Sequence, residues 1–375
     1  MDFTVSCKVL RQKLEAFVGA VASKTARPDL TGFFCFINAN SNVLHIHASD
    51  VEVFLTGEVE VSNVNGFGVF CLPSQLLLRQ LRLLPEQPLT FHVNLETLEV
   101  TVDYDNGHFS FYGENPMNYP ELPALDKVEG GFSVSAKELN NALSKVLSSV
   151  ANDILRPVLS GVYFDFKPSG LNLVASNGQR LALAGIPSSG ENSGCSFVLV
   201  ARSVALLQKQ LNQEEERITV QFDDLNVFIQ GKGFHMVSRL TLGRFPNYQR
   251  VIPDGDANLR GVNRSWLISA IRRTSSFSLT SNVSKLSLDS GLLTVSCDDD
   301  DNKSYSTEQL ELDYYGPHLE VSFRTDYLVD YLNKIDGDKV DMLIGPQERL
   351  LPVRIEPSRI SEDLSMRFIV IPSAC

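Results

Sequence analysis

Apolar positions along the chain switch between two periods, and the switches recur. Leu10, Leu14, Phe17 and Val18 return at helical spacing, with Lys8, Arg11 and Glu15 on the remaining positions. That pattern predicts an amphipathic helix over 6–20. Comparable stretches predict helices over 74–84, 135–150, 201–211, 263–274 and 324–336. Elsewhere, as in 45–55, 89–104 and 218–242, residues alternate or run apolar between turn residues, which is the signature of strands. Strand outweighs helix, and the expected class is α+β with helices packed on antiparallel sheets.

The pattern repeats three times. Phe3-Thr4-Val5-Ser6 leads to Leu10 and Leu14, and Phe132-Ser133-Val134-Ser135 leads to Leu139 and Leu143 at the same spacing. A weaker third copy runs from Leu259 to Trp266 and Ala270. A second anchor alternates into small and polar residues: Leu44 to Asp50, Leu171 to Asn177 and Leu293 to Asp298. A third is a strand-to-helix passage over 69–81, 197–211 and 321–332. The fourth, aromatic-Pro, occurs at Tyr119-Pro120 and Phe245-Pro246. A period of about 125 residues suits whole tandem domains rather than a solenoid. The expected domains are 1–125, 126–255 and 256–375, with linkers rich in Pro, Gly and Asp.

Composition narrows the classes. At 375 residues and 43% hydrophobic, the chain is long and apolar enough for two or three packed domains, and global disorder is excluded. No apolar run reaches the roughly 18 residues of a membrane helix. The N-terminus lacks a signal-peptide core, so a cytoplasmic location is expected. Cys7, Cys35, Cys71, Cys195, Cys297 and Cys375 form no CxxC pair, which favours reduced thiols over a zinc site.

The net charge of −12 argues against a polyanionic partner, but its distribution does not. The six expected helices carry +2, +2, +1, +2, +3 and −1, leaving −21 for everything else. Basic helices gathered on one side would suit a polyanion. Lys and Arg are also ordinary helix formers on solvated faces, so charge alone leaves both explanations standing. No zinc-finger spacing or basic zipper occurs, so any nucleic-acid contact should be to phosphate and insensitive to sequence.

Three features together are specific: the threefold repeat, the pair Ala175–Ala182 (Ala-Ser-Asn-Gly-Gln-Arg-Leu-Ala) and Gly243–Pro253 (Gly-Arg-Phe-Pro-Asn-Tyr-Gln-Arg-Val-Ile-Pro), and the apolar C-terminal stretch Met366–Pro372. With them the chain resembles, over its full length, the bacterial DNA polymerase III beta subunit, the sliding-clamp family. The resemblance implies three clamp domains per chain and a head-to-tail homodimeric ring around duplex DNA. Basic helices would line its hole. It implies a processivity factor rather than an enzyme, with no cofactor. The implied partners are the polymerase III catalytic subunit, the clamp loader and repair proteins, each docking through a short linear peptide.

The family's peptide pocket maps onto Leu159, Ser176, Gly178, Gln179, Arg180, Leu181, Pro246, Arg250, Val251, Tyr327, Ile369, Val370, Ile371, Pro372 and Ser373. Apolar side chains would form a groove, and Arg180 and Arg250 would fix the peptide's polar atoms. Gln179 stands where the family commonly has His, and Ser373 where it has a larger apolar residue. The implied DNA contacts are Lys24, Arg27, Gln75, Asn152, Pro157 and Val158, to which the basic helices add Arg79, Arg82, Lys137, Lys145, Arg202, Lys209, Arg272 and Arg273. If the sixth helix faces DNA, which the sequence leaves open, Asp326 and Asp330 would locally weaken the lining. Phe109, Phe111 and Phe277 match the family's dimer interface. A peptide-binding scaffold of the same fold that never loads on DNA is the main alternative.

Enzymatic motifs are missing. There is no GxxxxGK[ST] loop, no strand-linked GxGxxG and no GxSxG elbow. His45 and His47 share a strand face without an evident third ligand, and no metal is expected there. Asp298–Asp301 lacks the EF-hand spacing and glycine, and is expected to be a solvated turn.

Overall fold

The computed structural model describes residues 1–125, 127–187, 194–212, 214, 216–278, 282–345, 351–359 and 364–373. Six α-helices lie among them: α1 (Cys7–Phe17), α2 (Ser74–Leu81), α3 (Ala136–Val146), α4 (Ala201–Leu211), α5 (Arg264–Ser275) and α6 (Thr325–Lys334). Five fall inside stretches whose periodicity predicted them, and α5 runs one residue past its expected end at 274. In α1 the buried side chains are Cys7, Leu10, Leu14, Ala16 and Phe17, so one stripe faces the core. Ser6 caps α1 by accepting from the Val9 amide at 3.2 Å, and Asn263 caps α5 from the Trp266 amide at 2.8 Å. Leu10 and Leu14 are fully buried, and truncating either to Ala would cost about 2–5 kcal/mol.

The element order repeats three times: a strand, a helix, a run of strands, a second helix and three closing strands. Four antiparallel sheets result. The first has five strands, running in order 62–65, 2–6, 88–93, 99–104 and 107–112. The second has eight, and joins strands 130–135 and 217–239 to strands 32–60 and 68–73. The third, also of eight, joins 161–187 and 196–200 to 365–370, 353–357, 339–343 and 259–263. The fourth has four: 304–311, 292–299, 283–289 and 319–324.

Each eight-stranded sheet has a seam where two copies of the repeat meet. In one, His235–Arg239 pairs antiparallel with Val53–Glu60, in register Met236 to Leu55 and Val237 to Phe54. In the other, Arg180–Pro187 pairs antiparallel with Ser365–Val370, in register Ala182 to Phe368. By contacts the chain gathers into two compact units, Met1–Lys137 with Arg202–Leu240, and Glu138–Ala201 with Thr241–Cys375. Each unit contains one seam. In the first, Phe3 stacks on Phe91 at 4.9 Å, and Phe54, Phe228 and Val237 form a buried cluster at the seam, covered by Leu122 and Leu125.

Asp299 departs from the expected solvated turn. It is buried, and its carboxylate accepts from the Asn302 amide at 3.1 Å and from Ser278 Oγ at 3.3 Å. No helix among the described residues is long and apolar enough to cross a membrane.

Candidate peptide groove and basic surface

The second unit holds a compact apolar cluster at its seam. Leu159, Leu181 and Ile369 pack with Ala151, Val174, Leu183, Val198, Phe245 and Tyr248, and Val158, Tyr163 and Ile252 close its edges. Three separate stretches therefore converge on one place: the turn Pro157–Leu159, the seam strands, and the Gly243–Pro253 segment. Phe245 lies flat on Tyr163, with ring centroids 4.6 Å apart and an interplanar angle of 3°. The Tyr248 hydroxyl donates to Asp165 at 2.7 Å and accepts from Asn172 at 3.3 Å; burial pushes its pKa well up. Pro246, Arg250 and Val251 are exposed beside this floor, as is Ile371. Val370 is buried in the sheet, whereas Pro372 and Ser373 are half-buried, with the Ser373 amide held by the Ser322 carbonyl at 2.8 Å.

The adjoining turn is built by its own polar side chains. Asn177 Oδ1 accepts from the amides of Gln179 and Arg180, both at 3.0 Å. Ser176 Oγ accepts from the Gly178 amide at 3.2 Å and donates to the Arg180 carbonyl at 2.8 Å. Gly178 adopts φ +90°, a conformation that favours glycine. The Gln179 carbonyl accepts from the Ile371 amide at 2.9 Å, which ties the turn to the C-terminal segment.

Arg180 is held through both terminal nitrogens and one face of its guanidinium. It pairs with Asp330 at 2.9 Å, donates to the Ser148 carbonyl, and lies 4.2 Å over the Tyr327 ring. Asp330 also meets Lys334 at 3.3 Å and accepts from Ser148 Oγ at 2.7 Å. The charge of Asp330 is thus offset by two cations, Arg180 and Lys334, with a hydrogen bond from Ser148 besides. Phe245 and Tyr248 were missed as groove residues. Their signal, the aromatic-Pro stretch, was read as a mark of repetition and of family resemblance, not as a packed floor.

The expected DNA contacts divide by their surroundings. Lys24, Arg79, Lys137, Lys209 and Arg272 are exposed and form no ion pair among the described residues; Gln75, Asn152 and Pro157 are exposed too. Arg27 pairs with Asp29 at 2.6 Å, Arg82 with Glu15 at 2.8 Å and Arg273 with Glu308 at 2.6 Å. Arg202 pairs with Asp50 and donates to the Gly19 carbonyl at 2.8 Å. Val158 is half-buried at the groove's edge.

Lys145 does not fit the expectation. It sits three positions after Ala142 on the buried stripe of α3, and its ammonium donates to Asp336 and to the Lys334 carbonyl, both at 2.7 Å. It is a structural cation with no exposed charge to offer a phosphate. Phe111 likewise turns inward and is buried within its own chain, while Phe109 is half-buried beside it with centroids 6.2 Å apart. Phe277 is 58% exposed.

Residues 1–123 match the N-terminal domain of the DNA polymerase III beta subunit, 133–247 its central domain and 249–359 its C-terminal domain. The chain belongs to the DNA polymerase III beta-subunit family. Within that family it is a sliding clamp, a non-catalytic processivity factor of DNA polymerase III. The beta sliding clamp of Staphylococcus epidermidis is 25% identical over 350 residues, covering 91% of this chain and 92% of that one. The clamp of Staphylococcus aureus is 24% identical over the same shares. Among solved structures, the beta subunit of Thermotoga maritima superposes with a TM-score of 0.90 at 24% identity, over 100% of this chain and 99% of that one. A Pseudomonas aeruginosa sliding clamp bound to griselimycin gives a TM-score of 0.91 at 21% identity, covering all of both chains. The beta-subunit fold thus holds three clamp domains of α+β architecture with antiparallel sheets.

Proposed function

We propose that two copies of this chain close head to tail into a ring around duplex DNA, and that the groove at the second unit's seam tethers replication proteins to it. The observation that carries this reading is a pair of unpaired sheet edges. Gly107–Tyr112 ends the five-stranded sheet, and Ser304–Glu311 ends the four-stranded one. In the repeat, 107–112 holds the position of 235–239 and 365–370, and 304–311 that of 53–60 and 180–187. Those counterparts pair with each other at both seams. Pairing 107–112 of one copy with 304–311 of another would repeat that junction. Because the two surfaces differ, the contact closes a ring only when it is made twice. The six clamp domains of such a ring follow from divisions near residues 125 and 255 in each chain.

Duplex DNA would pass through without base readout. The five unpaired cations, Lys24, Arg79, Lys137, Lys209 and Arg272, are the strongest candidates for phosphate contact. Arg27, Arg82, Arg202 and Arg273 share their charge with carboxylates and would contribute less. The polymerase catalytic subunit, a clamp loader and repair proteins would insert short apolar peptides over Leu159, Leu181, Val251 and Ile369, in the cytoplasm.

Sedimentation tests the closure. At micromolar concentration the chain should run at twice its monomer mass. A Ser110→Pro, Thr307→Pro variant removes an amide donor from each edge and should run as a monomer. A monomeric parent chain, or a variant that stays dimeric, contradicts edge-to-edge closure. A dimer that never loads on DNA would favour the scaffold reading.

A further inference from the structure

Three histidines of the first unit share one sheet surface at its seam. His47 lies opposite Thr56 on the neighbouring strand, and Thr56 lies opposite His235 across the seam. His45 is two residues from His47 and lies opposite Glu58. Opposed residues, and residues two apart, project from the same face. The three imidazoles therefore line one cavity of about 250 Å³, together with Thr56, Glu58, Gln230 and Lys232.

The surroundings favour the neutral form of His47 and His235. His45 stacks on Phe36 at 4.4 Å and 9°, and His47 meets the same ring edge-on at 5.4 Å. Phe34 lies 5.6 Å from His47 and carries Tyr119 stacked on its other neighbour contact at 4.9 Å. The Tyr119 hydroxyl donates to the His47 carbonyl at 3.4 Å. Burial, and then the nearness of His45 and His235, depress the pKa of His47 to about 4; burial also depresses that of His235.

The charged groups nearby do little to offset protonation. Glu58 lies 3.2 Å from His45 Nδ1. Among the described residues no carboxylate pairs with His47 or His235. Lys232 is paired with Glu216 at 2.9 Å, and Lys13 donates to the Gly233 carbonyl at 2.8 Å. Both are cations and would oppose further positive charge. The far end of the seam is tied differently, by the Arg202–Asp50 pair and by the Arg239 amide on the Glu52 carbonyl at 2.9 Å.

We propose that His47 and His235, gathered with His45 around one cavity, form an acid-sensitive fastening at one end of this seam: the neutral rings of His47 and His235 pack and hold it, and their protonation opens it. The sign follows from linkage. A histidine whose folded-state pKa lies below its unfolded value of about 6.5 supports the closed seam fully above that value, and the support is lost as pH falls toward the folded value. For His47 alone, moving from neutral pH to about pH 5 should raise the seam's opening constant roughly twentyfold. The second unit's seam, Arg180–Pro187 with Ser365–Val370, contains no histidine and serves as an internal control.

The test is amide hydrogen exchange of the full chain at about pH 7.5 and pH 5, corrected for the intrinsic pH dependence of exchange. Protection over 53–60 and 235–239 should fall by about tenfold or more in acid, while protection over 180–187 and 365–370 holds. His47→Phe, which keeps the aromatic packing, should abolish most of the acid effect; His235→Thr serves if that variant does not fold. Unchanged protection in the parent chain, equal losses at both seams, or an undiminished acid effect in the folded variants would each overturn the proposal.

Discussion

The hydroxyl of Tyr327 donates to Oε1 of Gln179 at 3.1 Å, linking the first turn of α6 to the turn beside the groove. The same hydroxyl accepts from Asn177 Nδ2 at 3.1 Å, and the guanidiniums of Arg180 and Arg324 lie 4.2 and 4.5 Å over the ring. Gln179, a departure from the family's usual residue, is therefore fixed in place beside the candidate groove.

Tyr327→Phe keeps the ring contacts and removes both hydrogen bonds. It should lower unfolding stability by about 1–2 kcal/mol, since each such bond contributes about 0.5–1.5 kcal/mol. Chemical denaturation checks this. A change below a few tenths of a kcal/mol would mean that the latch is not formed in solution.

Asp330→Ala should do more harm than Asp330→Asn. Arg180 is mostly buried, so removing its carboxylate strands a charge, at a cost of about 2–3 kcal/mol. The amide still accepts a hydrogen bond and should recover part of the loss. Equal stability of both variants and the parent chain would show that the pair contributes nothing.

His92 bridges two carboxylates on the first sheet, with Nδ1 2.8 Å from Asp2 and Nε2 3.1 Å from Asp103. The hydrogen bond to Asp2, more than any other cause, raises its pKa above the usual 6.5. A raised folded-state pKa stabilises fully below about 6.5 and loses that contribution as pH climbs through the folded value. The site is open to solvent, so the effect should stay below about 1 kcal/mol. His92→Gln should thus destabilise the chain at pH 5.5 and be nearly neutral at pH 8.5, as read from denaturant midpoints. A loss that grows with pH would refute the assignment.

Replacing Lys24, Arg79, Lys209 and Arg272 together with Ala should weaken duplex binding and flatten its salt dependence. Each lost phosphate contact lowers the slope of log affinity against log salt by about 0.9. Lys145→Ala should leave the slope unchanged and reduce stability instead, because its charge is spent on Asp336. Equal slopes for the fourfold variant and the parent chain would remove these cations from the DNA surface.

Local structure was legible because it depends on near neighbours. The periodicity of Leu10, Leu14 and Phe17 locates α1, and the Phe3 and Phe132 anchors reveal the repeat. The seams were not legible, since Ala182 meets Phe368 and Leu55 meets Met236 from distant parts of the chain. The charges failed for the same reason. Counting Lys and Arg on a helix cannot reveal that Lys145 faces Asp336 or that Arg202 faces Asp50. The groove residues came from motif resemblance, but the packing of Phe245 on Tyr163 needed the fold.

Retention on circular against linear DNA tests the central claim most directly. The chain would be loaded by its cognate loader onto nicked circular plasmid, washed at high salt, and followed as the plasmid is cut. A topological clamp stays on the circle through the wash and leaves when the DNA is linearised, because phosphate contacts alone weaken steeply as salt rises. Loss from circles during the wash, with the loader proven active on another clamp, would contradict encirclement.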